Sequence, residues 1–155
     1  MVQTLTRTEN NPKVRIRKGK KSDATSLAVL SGELGYPTNS EEMSDRLRRL
    51  LSDPRHAIYV AEIDAIVGWI HVSVLESLES GFFAEILGMV VTEPQRGKGI
   101  GKRLVEEAEG WAGKKGCARL RVRSNIIRAE THAFYGKLGY ATKKTQKVFE
   151  KLLDT

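Results

Sequence analysis

Gln95-Arg96-Gly97-Lys98-Gly99-Ile100-Gly101-Lys102 is the stretch from which the rest of the chain can be read. Its three glycines at alternate positions remove side chains where a ligand would approach the backbone. The apolar run Phe83 to Thr92, with Pro94 just past its end, precedes it and reads as a strand. Ile100, Leu104, Val105, Ala108, Trp111 and Ala112 follow at helical spacing, and Gly116 stops that helix. The first-turn amides of such a helix are unpaired and sit at the positive end of its dipole. Together with the glycines they form an anion site suited to a pyrophosphate, with Arg96, Lys98 and Lys102 adding charge. A P-loop is excluded, because the glycine intervals are two residues and Lys102 precedes Arg103. The dinucleotide fingerprint fails too: counted from Gly99 its last glycine would be Leu104, and counted from Gly97 it would be Lys102.

Working outward, Val14 to Arg17 alternates apolar and basic residues and predicts a short strand. Ser22 or Asp23 caps a helix carrying Ala24, Leu27, Ala28, Leu30 and Leu34, ended by Gly35. Thr38-Asn39-Ser40-Glu41 has the form of a capping box opening a second helix. Met43, Leu47, Leu50 and Leu51 are its expected buried face. Ala57 to Ile63 and Ile66 to Leu75 flank Asp64-Ala65 and read as a hairpin, followed by a polar turn from Glu76 to Gly81. Downstream of the glycine turn and its helix, Ala118, Leu120 and Val122 alternate with Arg119, Arg121 and Arg123, the pattern of a half-exposed strand. Ala129 to Leu138 predicts a helix ended by Gly139, and Ala141 to Leu153 a final strand. The order implies one α/β domain with a mixed sheet, residues 13–155, behind a polar tail at residues 1–12.

The chain has 155 residues, 40% hydrophobic and 29% charged, as in ordinary globular proteins. No apolar run approaches the roughly 20 residues that span a bilayer. Cys117 is the single cysteine, which excludes an internal disulfide framework and a cysteine-based metal cluster. No metal is expected, and a cytoplasmic setting fits this composition. The net charge of +7 is concentrated: residues 96–128 hold ten Lys or Arg against three acids and account for all of it. Nucleic acid, a compact polyanion such as a nucleotide phosphate, or a solvated surface would each explain that field. Against nucleic acid, the chain shows no helix-turn-helix, zinc-ligand or aromatic-platform pattern.

Arg96-x-x-Gly99-x-Gly101, preceded by Leu87-Gly88-Met89-Val90-Val91, resembles the Arg/Gln-x-x-Gly-x-Gly/Ala signature of the Gcn5-related N-acetyltransferases. Ala133-Phe134-Tyr135-Gly136-Lys137-Leu138-Gly139-Tyr140 is similar to that family's second signature, Phe-Tyr-x-Lys-Leu-Gly-Phe/Tyr. The two lie about forty residues apart in the family's order, and the element order over residues 14–153 resembles the family as well. The resemblance implies an α/β (α+β) fold with a mixed, mostly antiparallel sheet flanked by helices and splayed parallel strands at the cofactor cleft. It implies an acyltransferase that moves an acetyl group from acetyl-CoA to a primary amine of a small molecule or peptide by direct attack. A catalytically silent acyl-CoA sensor is the alternative. Family members often form dimers, so a homodimer stays open; a membrane partner is not implied.

By the same resemblance, the backbone of Met89, Val90 and Val91 would pair with the pantetheine arm. The amides and basic side chains of Arg96, Gly97, Lys98, Gly99, Ile100, Gly101 and Lys102 would hold the pyrophosphate. Asn125 stands where the family places a residue on pantetheine or the water path. Arg128 replaces a second Asn and could reach a CoA phosphate, and His132 would help line the groove. Tyr135 resembles the proton donor to the departing thiolate; its bland reading is a core aromatic beside Phe134. Glu85, in an otherwise apolar strand, is the candidate base for the amine, and burial would raise its pKa. An outward-facing strand residue is the competing reading of Glu85. His71 is a secondary base candidate. Gly88 marks a bulge or a tight contact. Glu33, Glu76 and Glu79 could attract a cationic amine or be solvated. Cys117 reads as a buried structural thiol rather than a nucleophile.

Overall fold

The computed structural model describes residues 13–124 and 129–154. The N-terminal tail, Asn125 and Arg128 lie outside the described residues. The chain divides after Val122 into two compact units. The first holds strands β1 (Arg15–Lys18), β2 (His56–Ile63), β3 (Ala65–Ser77), β4 (Gly81–Val91) and β5 (Leu120–Val122). It also holds helices α1 (Ala24–Leu34), α2 (Ser40–Leu51) and α3 (Ile100–Lys114). The strands form one sheet in the order β1-β2-β3-β4-β5. Neighbours from β1 to β4 are antiparallel, and β4 with β5 is parallel, so the sheet is mixed as expected.

Each turn has a local cause. Asp64, at φ 59°, makes the tight β2–β3 connection, a conformation that Asp adopts more readily than most residues. Gly35, at φ 101°, ends α1 in the left-handed region. The cap of α2 lies one residue from the expected position. Asn39, not Thr38, is the N-cap, and its side chain accepts the Glu42 amide at 2.8 Å. Thr38 instead donates its hydroxyl to the Glu42 carboxylate at 2.7 Å. On the same helix Leu47 is buried, whereas Leu51 is exposed, because it falls past the edge of the apolar stripe.

Two apolar layers cover the sheet. On one face Ala24, Leu27 and Leu47 pack with Ile58 and Val60, joined by Met43, Leu50 and Trp69. The other face carries α3, whose Leu104, Val105 and Ala108 are fully buried. Leu104 approaches the sheet at Gly68, where an added Cβ would lie 3.4 Å from its methyl. Asp23, buried before α1, accepts hydrogen bonds from the two terminal nitrogens of the Arg17 guanidinium and from the Lys20 amide. Arg17 also reaches Glu62, so β1, β2 and the approach to α1 are tied by one guanidinium.

The second unit contains α4 (Ala129–Lys137), closed by Gly139 at φ 92°. The expected final strand at Ala141 to Leu153 is not formed: residues 140–154 carry neither helix nor strand. Thr142 to Lys147 is polar throughout, so the segment lacks the alternating apolar face that would fix a register. No described helix is long and apolar enough to cross a membrane.

Candidate active site

The site grows from an irregularity in β4. Its register with β3 jumps from His71↔Gly88 to Val72↔Ile86, leaving Leu87 as the extra residue of a β-bulge. Gly88 serves both readings offered above. It follows the bulge, and a Cβ on it would lie 2.9 Å from Cη2 of Trp69. Pairing of β4 with β5 covers only Ala84↔Leu120, Glu85↔Arg121 and Ile86↔Val122. From Leu87 to Val91, therefore, β4 has no partner among the described residues of β5. Bulged strands bend and twist more strongly, and the β4–β5 ladder ends just before this bulge. The backbone of Met89, Val90 and Val91, expected to take pantetheine, lies on this unpaired stretch.

Beyond β4, Glu93–Gln95 forms a single 3-10 turn, and the glycine stretch leads into α3. Gly97 and Gly99 hold φ of 76° and 84°, and a Cβ at either would meet nothing within 4 Å. Glycine is needed there for backbone conformation, not for room. Gly99 is the N-cap of α3 and has no side chain to satisfy the first amides. The Ile100, Gly101 and Lys102 amides open the helix, while the Arg103 amide already donates to the Gly99 carbonyl. The basic side chains are partly committed. Arg96 Nε donates to the Val91 carbonyl at 2.8 Å, pinning the turn to the end of β4. Lys98 donates to Gln95, and Lys102 lies 3.9 Å from Glu106. All three are exposed and leave their charge at the helix terminus.

Glu85 is buried, at 5% exposure, which excludes the outward-facing reading. By register it pairs with Ser73 on one side and Arg121 on the other, and Ser73 pairs with His56. Paired residues project to the same face, so Arg121, Glu85, Ser73 and His56 form a polar row across four strands. That face is the one covered by α1 and α2, since it also bears Ile58, Val60 and Trp69. His71 shares it. His71 Nε2 lies 2.9 Å from His56 Nδ1, the two rings sharing one proton. Burial, reinforced by the neighbouring His56, pushes the His71 pKa down to about 4, so this ring is neutral at pH 7.

The other candidates sort clearly. Glu33 is engaged structurally: its carboxylate accepts from the Thr92 hydroxyl and the Glu93 amide, tying the end of α1 to the exit of β4. Glu76 and Glu79 are exposed. Cys117 is half-buried, and burial raises its pKa, so the thiol stays protonated and a poor nucleophile. In the second unit Tyr135 is buried, edge-on to Phe134 at 5.0 Å and to Tyr140 at 5.5 Å. Burial pushes its phenol up to about 12, so it holds its proton. His132 is exposed on the same helix. Alternation had assigned Arg121 to the solvent side; only the β4–β5 register places it beside Glu85.

Comparison with known proteins agrees with this architecture. The model of the acetyltransferase (GNAT) family matches residues 25–140. An aminoalkylphosphonate N-acetyltransferase of Salmonella typhimurium is 31% identical over 127 residues, 81% of this chain and 79% of the relative. An uncharacterised N-acetyltransferase of Bacillus subtilis is 37% identical over 65 residues, which span 41% of this chain and 46% of that protein. Among solved structures, an aminoglycoside N-acetyltransferase in complex with CoA superposes with a TM-score of 0.82 at 17% identity, covering 92% of this chain and 97% of the other. At that identity the likeness speaks for the fold alone. The family model spans most of the chain and the Salmonella relative covers four fifths of it, so the chain is an acyltransferase belonging to the acetyltransferase (GNAT) family.

Proposed function

We propose that the protein transfers the acetyl group of acetyl-CoA to the primary amine of a small molecule, with residues 13–155 acting as one acetyltransferase domain. The observation that carries this reading is the unpaired edge of β4 leading straight to the open N-terminus of α3. Pantetheine bears peptide-like amides, and a bare strand edge offers the N–H and C=O groups that complement them. Met89, Val90 and Val91 would supply that edge. The amides of Gly97 to Lys102, with the charges of Arg96, Lys98 and Lys102, would hold the pyrophosphate. Asn125, Arg128 and His132 are assigned to the same cofactor by family resemblance. Bound there, acetyl-CoA supplies an activated acyl group.

The residues then have two proton tasks. A primary amine is mostly protonated at pH 7 and must lose a proton before its nitrogen can attack the thioester carbonyl. Glu85, buried next to the bulge, is the base in this reading. The departing sulfur is better stabilised if a proton reaches it, and Tyr135, whose phenol remains protonated, is the donor. A small-molecule acceptor accords with the named activity of the 31% identical relative. Calorimetry with acetyl-CoA, CoA and ATP tests the core of the proposal. Both CoA species are expected to bind and ATP not, with Gly99→Glu abolishing binding because it places a carboxylate and a Cβ at a left-handed cap. Failure of folded wild-type protein to bind acetyl-CoA would overturn it.

A further inference from the structure

Arg121 is the middle residue of β5, level with Glu85 on β4. Its guanidinium lies over the Phe83 ring, 4.3 Å from the centroid. Arg119 approaches the same ring at 5.6 Å and donates to the Ser80 carbonyl, closing the region toward the β3–β4 hairpin. Arg121 Nε and Nη2 are buried, and neither has a hydrogen-bond partner among the described residues. A guanidinium cannot shed its charge by deprotonation. Stacking on an aromatic ring satisfies its face but not the N–H groups, which lie in its plane. The two unmatched atoms, moreover, are the pair that projects side by side from one edge of the guanidinium. That edge is the fork that receives two oxygens of an oxyanion at once.

The cofactor phosphates are poorly placed to be that oxyanion. Glu85 to Val91 is six residues of strand, roughly 20 Å at about 3.3 Å per residue, and the glycine turn lies beyond it. Arg121 sits at the opposite end of the β4 edge from the anion site of α3, level with Glu85.

We propose that Arg121 binds an oxyanion carried by the acceptor, so that the substrate is a short amine bearing a carboxylate, phosphonate or phosphate. This rests on the acetyltransferase reading above. The amine lies against Glu85 and the acid group on the Nε–Nη2 fork. Neighbouring strands are about 4.8 Å apart, which suits a spacer of roughly two or three carbons. Phe83 holds the guanidinium flat, so the fork is preorganised before substrate arrives.

The test compares propylamine, β-alanine and 2-aminoethylphosphonate as acceptors at saturating acetyl-CoA, for wild type, Arg121→Gln and Arg121→Lys. Wild type is expected to favour the acidic amines by about 100-fold in kcat/KM, the scale of a paired ionic hydrogen bond. Arg121→Gln should collapse that ratio toward one, and Arg121→Lys should keep part of it, since a lysine offers charge without the fork. The ratio between β-alanine and the phosphonate identifies the oxyanion. No preference in wild type, or equal slowing of all three amines by Arg121→Gln, would sink the proposal and leave the acetyltransferase reading standing. Calorimetric titration of CoA-loaded protein with 2-aminoethylphosphonate separates the two ideas. Binding that Arg121→Gln abolishes, without turnover of any amine, upholds the Arg121 site and defeats the proposed reaction; neither binding nor turnover defeats both.

Discussion

Single side chains set the proton chemistry of this protein. His71 has a folded-state pKa of about 4, against 6.5 for an unperturbed imidazole. Between those values the unfolded chain binds a proton that the folded chain refuses. Stability contributed by neutral His71 is therefore complete above pH 6.5 and falls as the pH drops toward 4, by on the order of 3 kcal/mol. Urea unfolding at pH 7.5 and pH 5.0 checks this, and His71→Gln should flatten the difference. Tyr135 makes a different prediction. If its phenol gives the thiolate a proton, Tyr135→Phe lowers kcat by about 100-fold, within the usual range for a lost general acid, with CoA affinity held within a few-fold. Equal loss of both quantities would reduce Tyr135 to a packing residue beside Phe134 and Tyr140.

At the scale of elements, the decisive feature is the bulge in β4, and Gly88 is where it can be attacked. A methyl at this position would overlap Trp69, whose ring belongs to the layer beneath α1 and α2. Gly88→Ala should cost roughly 1–3 kcal/mol as an overpacking change and weaken acetyl-CoA binding, because the β4 edge must shift to make room. Denaturant midpoints and calorimetry read the two effects separately. The N-cap of α2 offers a milder test. Asn39→Ala removes the acceptor for the Glu42 amide and should lower stability by about 1 kcal/mol without touching CoA affinity. Most elements were legible because their apolar spacing is strong: the stripe from Ile100 to Ala112 could only be a helix, and the hairpin was marked by Asp64. The final strand was misread since the polar stretch Thr142 to Lys147 offers no such periodicity.

For the molecule as a whole, stability rests on the two apolar layers of the first unit. Leu104, fully buried against the sheet, should cost about 3 kcal/mol when replaced by Ala, seen as a lower urea midpoint at constant m. Phe149, 89% exposed, is the matching control. The sequence by itself determined the order of strands and helices as far as α4, the glycine cap and the apolar edge before it, because each is local, written in spacing and in residues that tolerate particular dihedrals. Glu85 was legible as an anomaly in an apolar run, though not its neighbours. Only the tertiary structure decided that Leu87 bulges, that His56 lies within hydrogen-bond distance of His71, and that Arg121 stands level with Glu85 with its fork unmatched among the described residues. Alternation assigns a residue to a face of its own strand, whereas neighbours across strands depend on register. Register is set by pairing between segments far apart in the chain, as between Glu85 and Arg121.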